Sequence, residues 1–586
     1  MKTPHSVIRY KLSVTHYTSR ILHSTFCFSA FLLFCFSAYG QNPNCYRITF
    51  SDKNNSPYSI ERPEEFLSKR AIDKRKRFNI PITEQDLPVN PQYIDALLNL
   101  RTDTSQIIAV SKWNNSVVIL YPETDNCHNI IAEIINNLSF VVDTLPVAYY
   151  KLPFRFQETL KENSEYFQKI NSIQSYSCKY DYGKSIDNIK LHKGELLHRD
   201  GFCGEGMLIC AFDCGWENCN SISFFQPLFE NGQILGTRDL VPGINNIYIG
   251  NEDDPLYHTY FAHGTATLSQ MAVCVEGKLV GTAPKASFFL IRTENPWGEQ
   301  LVEEDFYAYG AEIADSLGAD IVTASLSYSI FDYEWQNIYT PNHNNGVASI
   351  ASRAASILVQ KGVIVVNSAG NKGMLPWHFI GRPADAFDIL AVGSVAKNGN
   401  VVFTSSYGPS ADGRVKPDVA AMGAEAWVVL GNGTIGQWSG TSFAAPIIAG
   451  LSACLWQALP QYSAKELMQL IREYGDQANK PDDRKGYGIP DFYQCYLDNF
   501  IGVHENIIDD ISVYPNPTSG GLRVQSSKFK LQDIEIYDIY GRKVSSHHLD
   551  ISSSHYLINI SHLSTGIYIL KIMTEGNIYS HKIVKN

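Results

Sequence analysis

One serine in this sequence stands where its hydroxyl could act as a nucleophile. Ser442 follows the small residues Gly440-Thr441 and precedes the apolar run 443–451, which predicts a buried helix. The unpaired N–H groups and the positive dipole at the start of such a helix can stabilise an oxyanion in front of the serine. A serine in this position more often only caps the helix, so catalysis also needs a base and a group that orients the base.

A histidine and an aspartate upstream could supply these two groups. Asp213 follows the apolar run 207–212, a predicted buried strand, so its carboxylate is expected at the strand's carboxyl end, where α/β sheets build their sites. His263 lies in a turn of small residues, 261–267, that leads into a predicted apolar helix. Each residue alone is more often structural; the set of Asp213, His263 and Ser442 predicts nucleophilic catalysis.

Several segments around and between these residues resemble the catalytic domain of the subtilisin-like serine proteases, the subtilases, from about residue 180 to 495. The chain order aspartate, histidine, serine is also the order known for subtilisin. The segments that carry the resemblance are Asp213-Cys214-Gly215, His263-Gly264-Thr265, Gly281-Thr282-Ala283-Pro284-Lys285-Ala286, Ser368-Ala369-Gly370-Asn371, Phe403-Thr404-Ser405-Ser406-Tyr407-Gly408-Pro409, Val415-Lys416-Pro417-Asp418-Val419-Ala420 and Gly440-Thr441-Ser442-Phe443-Ala444-Ala445-Pro446.

The resemblance implies a role for each side chain of the site. Ser442 is expected to attack the scissile carbonyl, His263 to carry the proton, and Asp213 to hold the imidazole in the useful tautomer. The Asn371 amide and the Ser442 backbone N–H would bind the oxyanion. The substrate is expected to lie extended beside Ser325-Leu326-Ser327 and to pair with it through main-chain hydrogen bonds. This chemistry requires no cofactor and involves no metal ligand.

One part of the site departs from the family pattern. Ser327-Tyr328 stands where subtilases usually place glycines, so the floor and rim of the primary specificity pocket are expected to differ. The physiological substrate and the preferred side chain are not encoded in any motif that we recognise.

The alternation of predicted elements predicts an α/β fold. Right-handed crossovers would bring the carboxyl ends of the strands, and with them the site, to one edge of a parallel sheet with helices on both faces. The predicted strands are 286–291, 319–325, 362–366 and 389–395, and the predicted helices are 303–317 and 347–360. We assign residues 178–500 to this subtilisin-like peptidase domain.

The first 40 residues have the pattern of a signal peptide. Basic residues precede the short apolar core 26–36, and the small residues 38–40 lie before Gln41 at the spacing of a cleavage site. The core is too short to remain as a membrane anchor, and no other stretch is long and apolar enough for a transmembrane helix. A lipoprotein signal ending at Cys35 is a weaker alternative, because Phe34 is too bulky for it.

Residues 41–172 mix predicted strands with predicted helices and form an α+β unit of their own. The family resemblance favours a propeptide that assists folding, occupies the cleft and is removed; the alternative is an independent domain. The polar stretch 174–177 is the candidate processing region.

Residues 508–586 change to an alternating pattern that predicts a small antiparallel β-sandwich. Tyr514-Pro515-Asn516-Pro517, Tyr540-Gly541-Arg542-Lys543-Val544, Gly566-Ile567-Tyr568-Ile569-Leu570 and Lys582-Ile583-Val584 resemble the type A C-terminal sorting domain of type IX secretion in Bacteroidetes-like bacteria. The resemblance implies the outer-membrane secretion machinery as a partner, and a protein that is secreted or held at the cell surface. An ordinary carbohydrate-binding or spacer domain is the alternative.

Composition excludes some partners. The formal net charge of −11 over 586 residues argues against nucleic-acid binding, and the basic run 69–77 is interpreted as a solvated helix face. The acidic groups 252–254 and 303–305 are interpreted as solvated surface, so a structural calcium ion has no support. Ten of the 12 cysteines remain after the signal peptide, and Cys203, Cys210, Cys214 and Cys219 could form disulfides or, less in keeping with their spacing, bind zinc.

The sequence thus predicts an exported, monomeric serine endopeptidase that acts on protein or peptide substrates. The rival from another class is a catalytically silent subtilase-like scaffold that binds proteins at the cell surface. A transpeptidase, which passes the acyl group to an amine instead of water, is a narrower alternative that no residue favours.

Overall fold

The computed structural model describes residues 42–100, 105–122, 126–150, 179–243, 246–248, 255–296, 298–500, 511–526, 530–538, 542–548, 555–574 and 578–586. The predicted signal peptide, the candidate processing region 174–177 and the acidic group 252–254 lie outside these residues.

The N-terminal unit, residues 42–150, is a four-stranded antiparallel sheet with strand order β2-β3-β1-β4. Polar side chains set where its helices begin: Ser68, Asn90 and Asn126 each accept a hydrogen bond from a backbone N–H of the first helical turn. Its elements are β1 (Cys45–Phe50), α1 (Lys69–Arg77), α2 (Pro91–Leu98), β2 (Gln106–Ser111), β3 (Ser116–Leu120), α3 (Cys127–Asn137) and β4 (Val141–Ala148).

The central unit, residues 179–500, is built on a seven-stranded sheet with strand order β13-β12-β11-β10-β5-β9-β6. All six neighbouring pairs are parallel, which confirms the predicted subtilisin-like α/β fold. The strands are β5 (Leu208–Asp213), β6 (Ile234–Asp239), β7 (Cys274–Val275), β8 (Leu279–Val280), β9 (Ser287–Arg292), β10 (Ile321–Ala324), β11 (Ile364–Ser368), β12 (Leu390–Val395), β13 (Val419–Met422), β14 (Ala426–Val429) and β15 (Ile435–Trp438); β7 pairs with β8, and β14 with β15, as antiparallel hairpins.

Helices cover this sheet, and they explain why its strands read as continuous apolar runs. Strands buried on both faces need no alternation of polar and apolar residues, and every residue of β5, β10, β11, β12 and β13 is buried. The helices of the unit are α4 (Ile186–Lys190), α5 (Gly194–Arg199), α6 (Gln226–Glu230), α7 (Pro255–Ala272), α8 (Glu303–Leu317), α9 (Ile350–Gln360), α10 (Thr441–Ala458), α11 (Ala464–Glu473) and α12 (Phe492–Asn499).

The strand order places a crevice at the carboxyl end of β5. Strands β9 and β6 lie on one side of β5, and β10 to β13 lie on the other side. The connections of the chain therefore run to opposite sides of β5 at this point. Such switch points open a crevice outside the sheet edge in α/β folds. Asp213, the last residue of β5, lies at this edge.

Helix α10 runs through the core of the central unit, where it packs against β10, β11, β12, β13 and α7. Among the described residues it is the one helix long and apolar enough to cross a membrane by length and composition, and 94% of it is buried inside the protein. Its apolar composition is therefore explained by packing against the sheet.

The N-terminal unit shares an apolar core with the central unit and also meets α8 through buried charges. Arg75 of α1 is 2% exposed and donates two hydrogen bonds of 2.8 Å to Asp315. Arg47 of β1 forms an ion pair of 2.6 Å with Asp305, which is 2% exposed. Glu312 accepts hydrogen bonds from the Ser111 hydroxyl and the Lys112 backbone N–H.

These contacts correct two sequence interpretations. The basic run 69–77 is not a solvated helix face throughout, because Arg75 turns inward to a carboxylate of another unit. The acidic group 303–305 is not solvated surface, because Glu303 and Glu304 are buried at 1% and 0% exposure. The first interpretation failed because Asp315, the partner of Arg75, lies 240 residues away in the sequence.

The C-terminal unit, residues 511–586, has two antiparallel sheets, β16-β17-β20 and β19-β18-β21-β22, that share one apolar core. Burial alternates along β17 and β21, as expected for strands with one face on a core. The predicted antiparallel sandwich is confirmed. Its strands are β16 (Ile511–Tyr514), β17 (Gly521–Ser526), β18 (Leu531–Asp538), β19 (Lys543–His548), β20 (His555–Asn559), β21 (Gly566–Thr574) and β22 (Ile578–Lys585).

Cys210, Cys214 and Cys219 are buried thiols without a disulfide bond. For these three, the expected disulfides are wrong. Burial raises the pKa of the Cys214 thiol well above its ordinary value, so the thiol form is favoured there.

Candidate active site

Asp213 is held at the end of β5 as a hydrogen-bond acceptor. Its Oδ1 accepts the backbone N–H of Cys214 at 2.8 Å, and its Oδ2 accepts the Thr267 hydroxyl at 3.1 Å. The side chain is 4% exposed. These donors fix the carboxylate in one orientation, with one oxygen directed toward the histidine.

His263 lies on α7 with its Nδ1 2.8 Å from Asp213 Oδ1. A carboxylate partner assigns the proton to Nδ1 in the neutral ring and leaves Nε2 as an acceptor. Burial lowers the pKa of His263, but the charge and hydrogen bond of Asp213 outweigh this effect and raise the pKa above its ordinary value. The ring remains 28% exposed, so reactants can reach it.

A glycine lets the histidine helix approach the aspartate strand. A Cβ atom added to Gly264 would stand 2.0 Å from the carbonyl oxygen of Gly215 and 3.2 Å from Asp213 Cβ. No side chain fits in this gap without moving α7 away from the end of β5. The close approach of α7 to the end of β5 therefore explains why residue 264 of the His263-Gly264-Thr265 segment is a glycine.

Ser442 is the second residue of α10, at the end where the helix N–H groups lack intrahelical partners. Its hydroxyl donates to the Ser325 carbonyl oxygen at 3.3 Å, and the Ser325 hydroxyl donates to the Ser442 carbonyl oxygen at 2.8 Å. The Phe443 ring, one residue later, lies 5.7 Å from the His263 ring. Among the described contacts, the Ser442 hydroxyl bonds to Ser325 and not to His263.

Asn371 is fixed beside the start of α10 by its side-chain oxygen. Oδ1 accepts the Thr441 backbone N–H at 2.9 Å and the Thr441 hydroxyl at 3.1 Å. The Thr441 hydroxyl also accepts the Gly370 backbone N–H at 3.1 Å. Because Oδ1 is occupied, the amide must present Nδ2, a donor, on its other side, where the side chain is exposed.

The predicted substrate-binding segment lies against the same residues. Ser325 bonds to Ser442 as described, whereas the Leu326 carbonyl oxygen accepts the Asn367 amide at 3.0 Å and the Ser368 hydroxyl at 3.1 Å. Ser327 is partly exposed next to Gly370. The structure thus brings all seven predicted site residues to one edge of the sheet.

Sequence reasoning considered the acidic group 303–305 but missed that Glu303 joins two other carboxylates beside this segment. Side-chain oxygens of Glu294, Glu299 and Glu303 lie within 4.8 Å of one another. The Tyr328 hydroxyl donates to Glu294 at 2.5 Å and also to the Glu303 backbone carbonyl at 3.3 Å. Burial and the charge of Glu299 raise the pKa of Glu294 to about 8. The one sequence signal for these contacts was Tyr328, which stands where subtilases usually place a glycine.

These carboxylates offer oxygen ligands of the type that calcium prefers. Glu303 already accepts the backbone N–H groups of Asn295 at 2.6 Å and Gln300 at 2.7 Å. The structural calcium considered from the sequence is not tested by these contacts.

Three family models match the chain. Residues 239–488 match the subtilase family, residues 45–166 match the peptidase S8 propeptide domain of Bacteroidota, and residues 512–586 match the secretion system C-terminal sorting domain. The subtilase match includes His263, Asn371 and Ser442 and begins after Asp213.

The chain is also similar to characterised subtilisins. It is 24% identical to Subtilisin NAT of Bacillus subtilis subsp. natto over 286 residues, which are 48% of this chain and 64% of that protein. It is 27% identical to Alkaline elastase YaB of Bacillus sp. (strain YaB) over 273 residues, 46% of this chain and 60% of that protein. The match thus spans less than two thirds of either relative.

Among solved structures, the self-cleaved protease domain of PatA is similar at 21% sequence identity and a TM-score of 0.37. The likeness covers 50% of this chain and 95% of that one.

Proposed function

We propose that this chain, whose central domain belongs to the subtilase family, is a serine endopeptidase that hydrolyses peptide bonds through an acyl-enzyme on Ser442. The observation that carries the proposal is the 2.8 Å hydrogen bond between His263 Nδ1 and Asp213, with the His263 ring 5.7 Å from the ring of Phe443, the residue after Ser442 at the helix start. An oriented imidazole next to a hydroxyl is the arrangement that nucleophilic catalysis needs.

In the first step the Ser442 hydroxyl gives its proton to His263 Nε2 and attacks the substrate carbonyl. This requires the hydroxyl to turn from the Ser325 carbonyl toward the imidazole, a rotation between staggered positions. Catalytic hydrogen bonds in unliganded sites are often made only when substrate binds. Asp213 keeps the ring in place and offsets the charge that it gains.

The tetrahedral intermediate carries its negative charge at the start of α10. Asn371 Nδ2 and the Ser442 backbone N–H are the donors positioned for it. His263 then protonates the leaving amine, and water, activated by the same imidazole, releases the acyl group. No step in this sequence uses a cofactor.

The two flanking units extend the proposal. The sorting domain indicates a protein that is secreted or carried to the cell surface, and we propose the type IX secretion machinery as its partner. The N-terminal unit matches a propeptide domain, and its docking on α8 supports a role as a folding assistant that is later removed. Protein or peptide substrates are expected.

Fluorophosphonate labelling of the secreted full chain tests the activity. The wild-type protein should react at Ser442, and Ser442→Ala should not react. Ser439→Ala is the matched control, because Ser439 is a nearby exposed serine that bonds the Glu425 backbone and should not affect labelling. Equal labelling of wild type and Ser442→Ala, or none in a folded wild-type protein, would favour the surface scaffold.

A further inference from the structure

Two backbone segments border the space next to the nucleophile, which we call the slot. One wall is Ser325 to Ser327, which is tied to Ser442 by the two hydrogen bonds already described. The other wall is Ala369 to Asn371. Gly381 closes the far end, because its N–H donates to the Ala369 carbonyl at 3.1 Å. In the proposed peptidase, the side chain that precedes the cleaved bond would enter this slot.

The Ser327 side chain already occupies the far end of the slot. A Cβ atom on Gly381 would stand 1.9 Å from Ser327 Oγ, and a Cβ on Gly370 would stand 2.6 Å from the same oxygen. The hydroxyl therefore lies between two glycines, and only their lack of side chains leaves room for it. Ser327 Oγ makes no hydrogen bond within the described part of the chain and is partly exposed to the cleft.

The backbone that carries Ser327 is held firmly. The neighbouring Tyr328 is fully buried, and its hydroxyl bonds to Glu294 and to the Glu303 carbonyl. The Tyr328 and Arg382 backbones exchange two hydrogen bonds of 2.8 and 2.9 Å. Rotation of the Ser327 side chain leaves its Cβ in place, so the slot cannot widen without breaking these contacts.

We infer that Ser327 shortens the specificity slot, so that the enzyme cleaves after glycine, alanine or serine and discriminates against large side chains. The inference rests on the proposed peptidase function and deepens it by naming the substrate class. A large side chain would need the space between Gly370 and Gly381 that Ser327 fills. Small side chains are too short to reach the Ser327 hydroxyl and therefore fit in the slot.

A series of peptides that differ only in the residue before the cleaved bond tests this, with kcat/KM measured on the full chain. The wild-type protein should favour alanine over phenylalanine by about 100-fold or more, the range that pocket sterics produce. Ser327→Gly should raise kcat/KM for phenylalanine by about 10-fold or more and so lower the alanine-to-phenylalanine ratio. Ser327→Ala, which keeps Cβ and loses Oγ, should fall between the two.

Ser221→Gly is the matched control for backbone freedom, because Ser221 is exposed in a turn of the same unit, and its alanine-to-phenylalanine ratio should equal that of wild type. Equal cleavage after alanine and phenylalanine by the wild-type protein overturns the inference. So does a ratio that neither Ser327→Gly nor Ser327→Ala changes. These results leave the proposed function intact as long as Ser442 is labelled. Failure to cleave any peptide, together with no labelling at Ser442, overturns the proposed function itself.

Discussion

Loss of one carboxylate from the interface between the N-terminal unit and α8 should destabilise the protein more than loss of its arginine partner. Three cations, Arg75, Lys112 and Lys361, face two carboxylates, Asp86 and Asp315, and each of the five is at most 7% exposed. Arg75 bonds to both carboxylates, at 3.0 Å to Asp86 and 2.8 Å to Asp315. The lysines each reach one carboxylate, at 3.4 Å from Lys112 to Asp315 and 2.9 Å from Lys361 to Asp86.

The charge balance sets the size of the effect. Among the described residues, Asp315→Leu leaves Asp86 as the one ion-pair partner of these three buried cations, so we expect a loss of about 3–5 kcal/mol, as for a broken buried ion pair. Arg75→Met leaves each carboxylate with one lysine, so the loss should be limited to the missing charged hydrogen bonds, about 1.5–3 kcal/mol. The neutral replacements are apolar and of similar length, which limits cavity effects.

Urea unfolding of the full chain, followed by circular dichroism, measures both changes. Ser442→Ala should be the background, because it prevents self-cleavage during the titration. Lys76→Met on the same helix is the control, since Lys76 is exposed, and it should change the free energy of unfolding by no more than about 0.5 kcal/mol. Arg75→Met at least as destabilising as Asp315→Leu would refute the charge-balance reasoning. Equal urea midpoints for Asp315→Leu, Arg75→Met and the Lys76→Met control would show that the buried cluster adds nothing to stability.

Three changes in the site have distinct expected outcomes. Asn371→Ala should lower kcat by about 10²–10³-fold with the unfolding midpoint kept, and an unchanged kcat would remove Asn371 from the oxyanion site. Since protonated His263 cannot accept a proton and its pKa is raised by Asp213, activity should fall as pH drops through a value above the ordinary histidine pKa. Asp213→Asn should move this limb of the pH profile to lower pH and reduce kcat by about 10⁴-fold, the effect known in serine proteases; an unmoved limb contradicts the assignment. Gly264→Ala should lower kcat and stability together, because its Cβ would collide with the Gly215 carbonyl, and wild-type kinetics would show that α7 can shift freely.

The sheet and its helices were predictable because burial leaves a pattern in the sequence. Strands covered on both faces are short apolar runs, and the predicted strand 389–395 differs from β12, Leu390–Val395, by one residue. The predicted helix 303–317 matches α8 at both ends. Gly318, in a left-handed conformation, ends the helix at its C-terminus. Turn and strand-end positions also identified Asp213 in advance as a carboxylate at the sheet edge.

The buried charges between the units were not predictable, because their partners lie far away in the sequence. Arg47 and Asp305 are 258 residues apart in the chain, and neither neighbourhood indicates the other. The same holds for Tyr328 and Glu294, whose hydrogen bond shapes the segment that carries Ser327. The slot itself depends on Gly381, which no local pattern assigns to the site.

The contact between the N-terminal unit and the central unit combines apolar packing with buried carboxylates. Residues of the N-terminal unit such as Ile108, Trp113 and Val147 share one apolar core with the central unit, so departure of this unit would expose apolar surface at a cost that grows with its area. The α8 face also presents Asp305, Glu312 and Asp315, which water can hydrate once Arg47 and Arg75 have gone. The charges must be paired only while both units are together, since a buried unpaired charge is costly and a hydrated one is not. These carboxylates reduce the apolar area that α8 would expose, which supports the proposed role of the N-terminal unit as a propeptide.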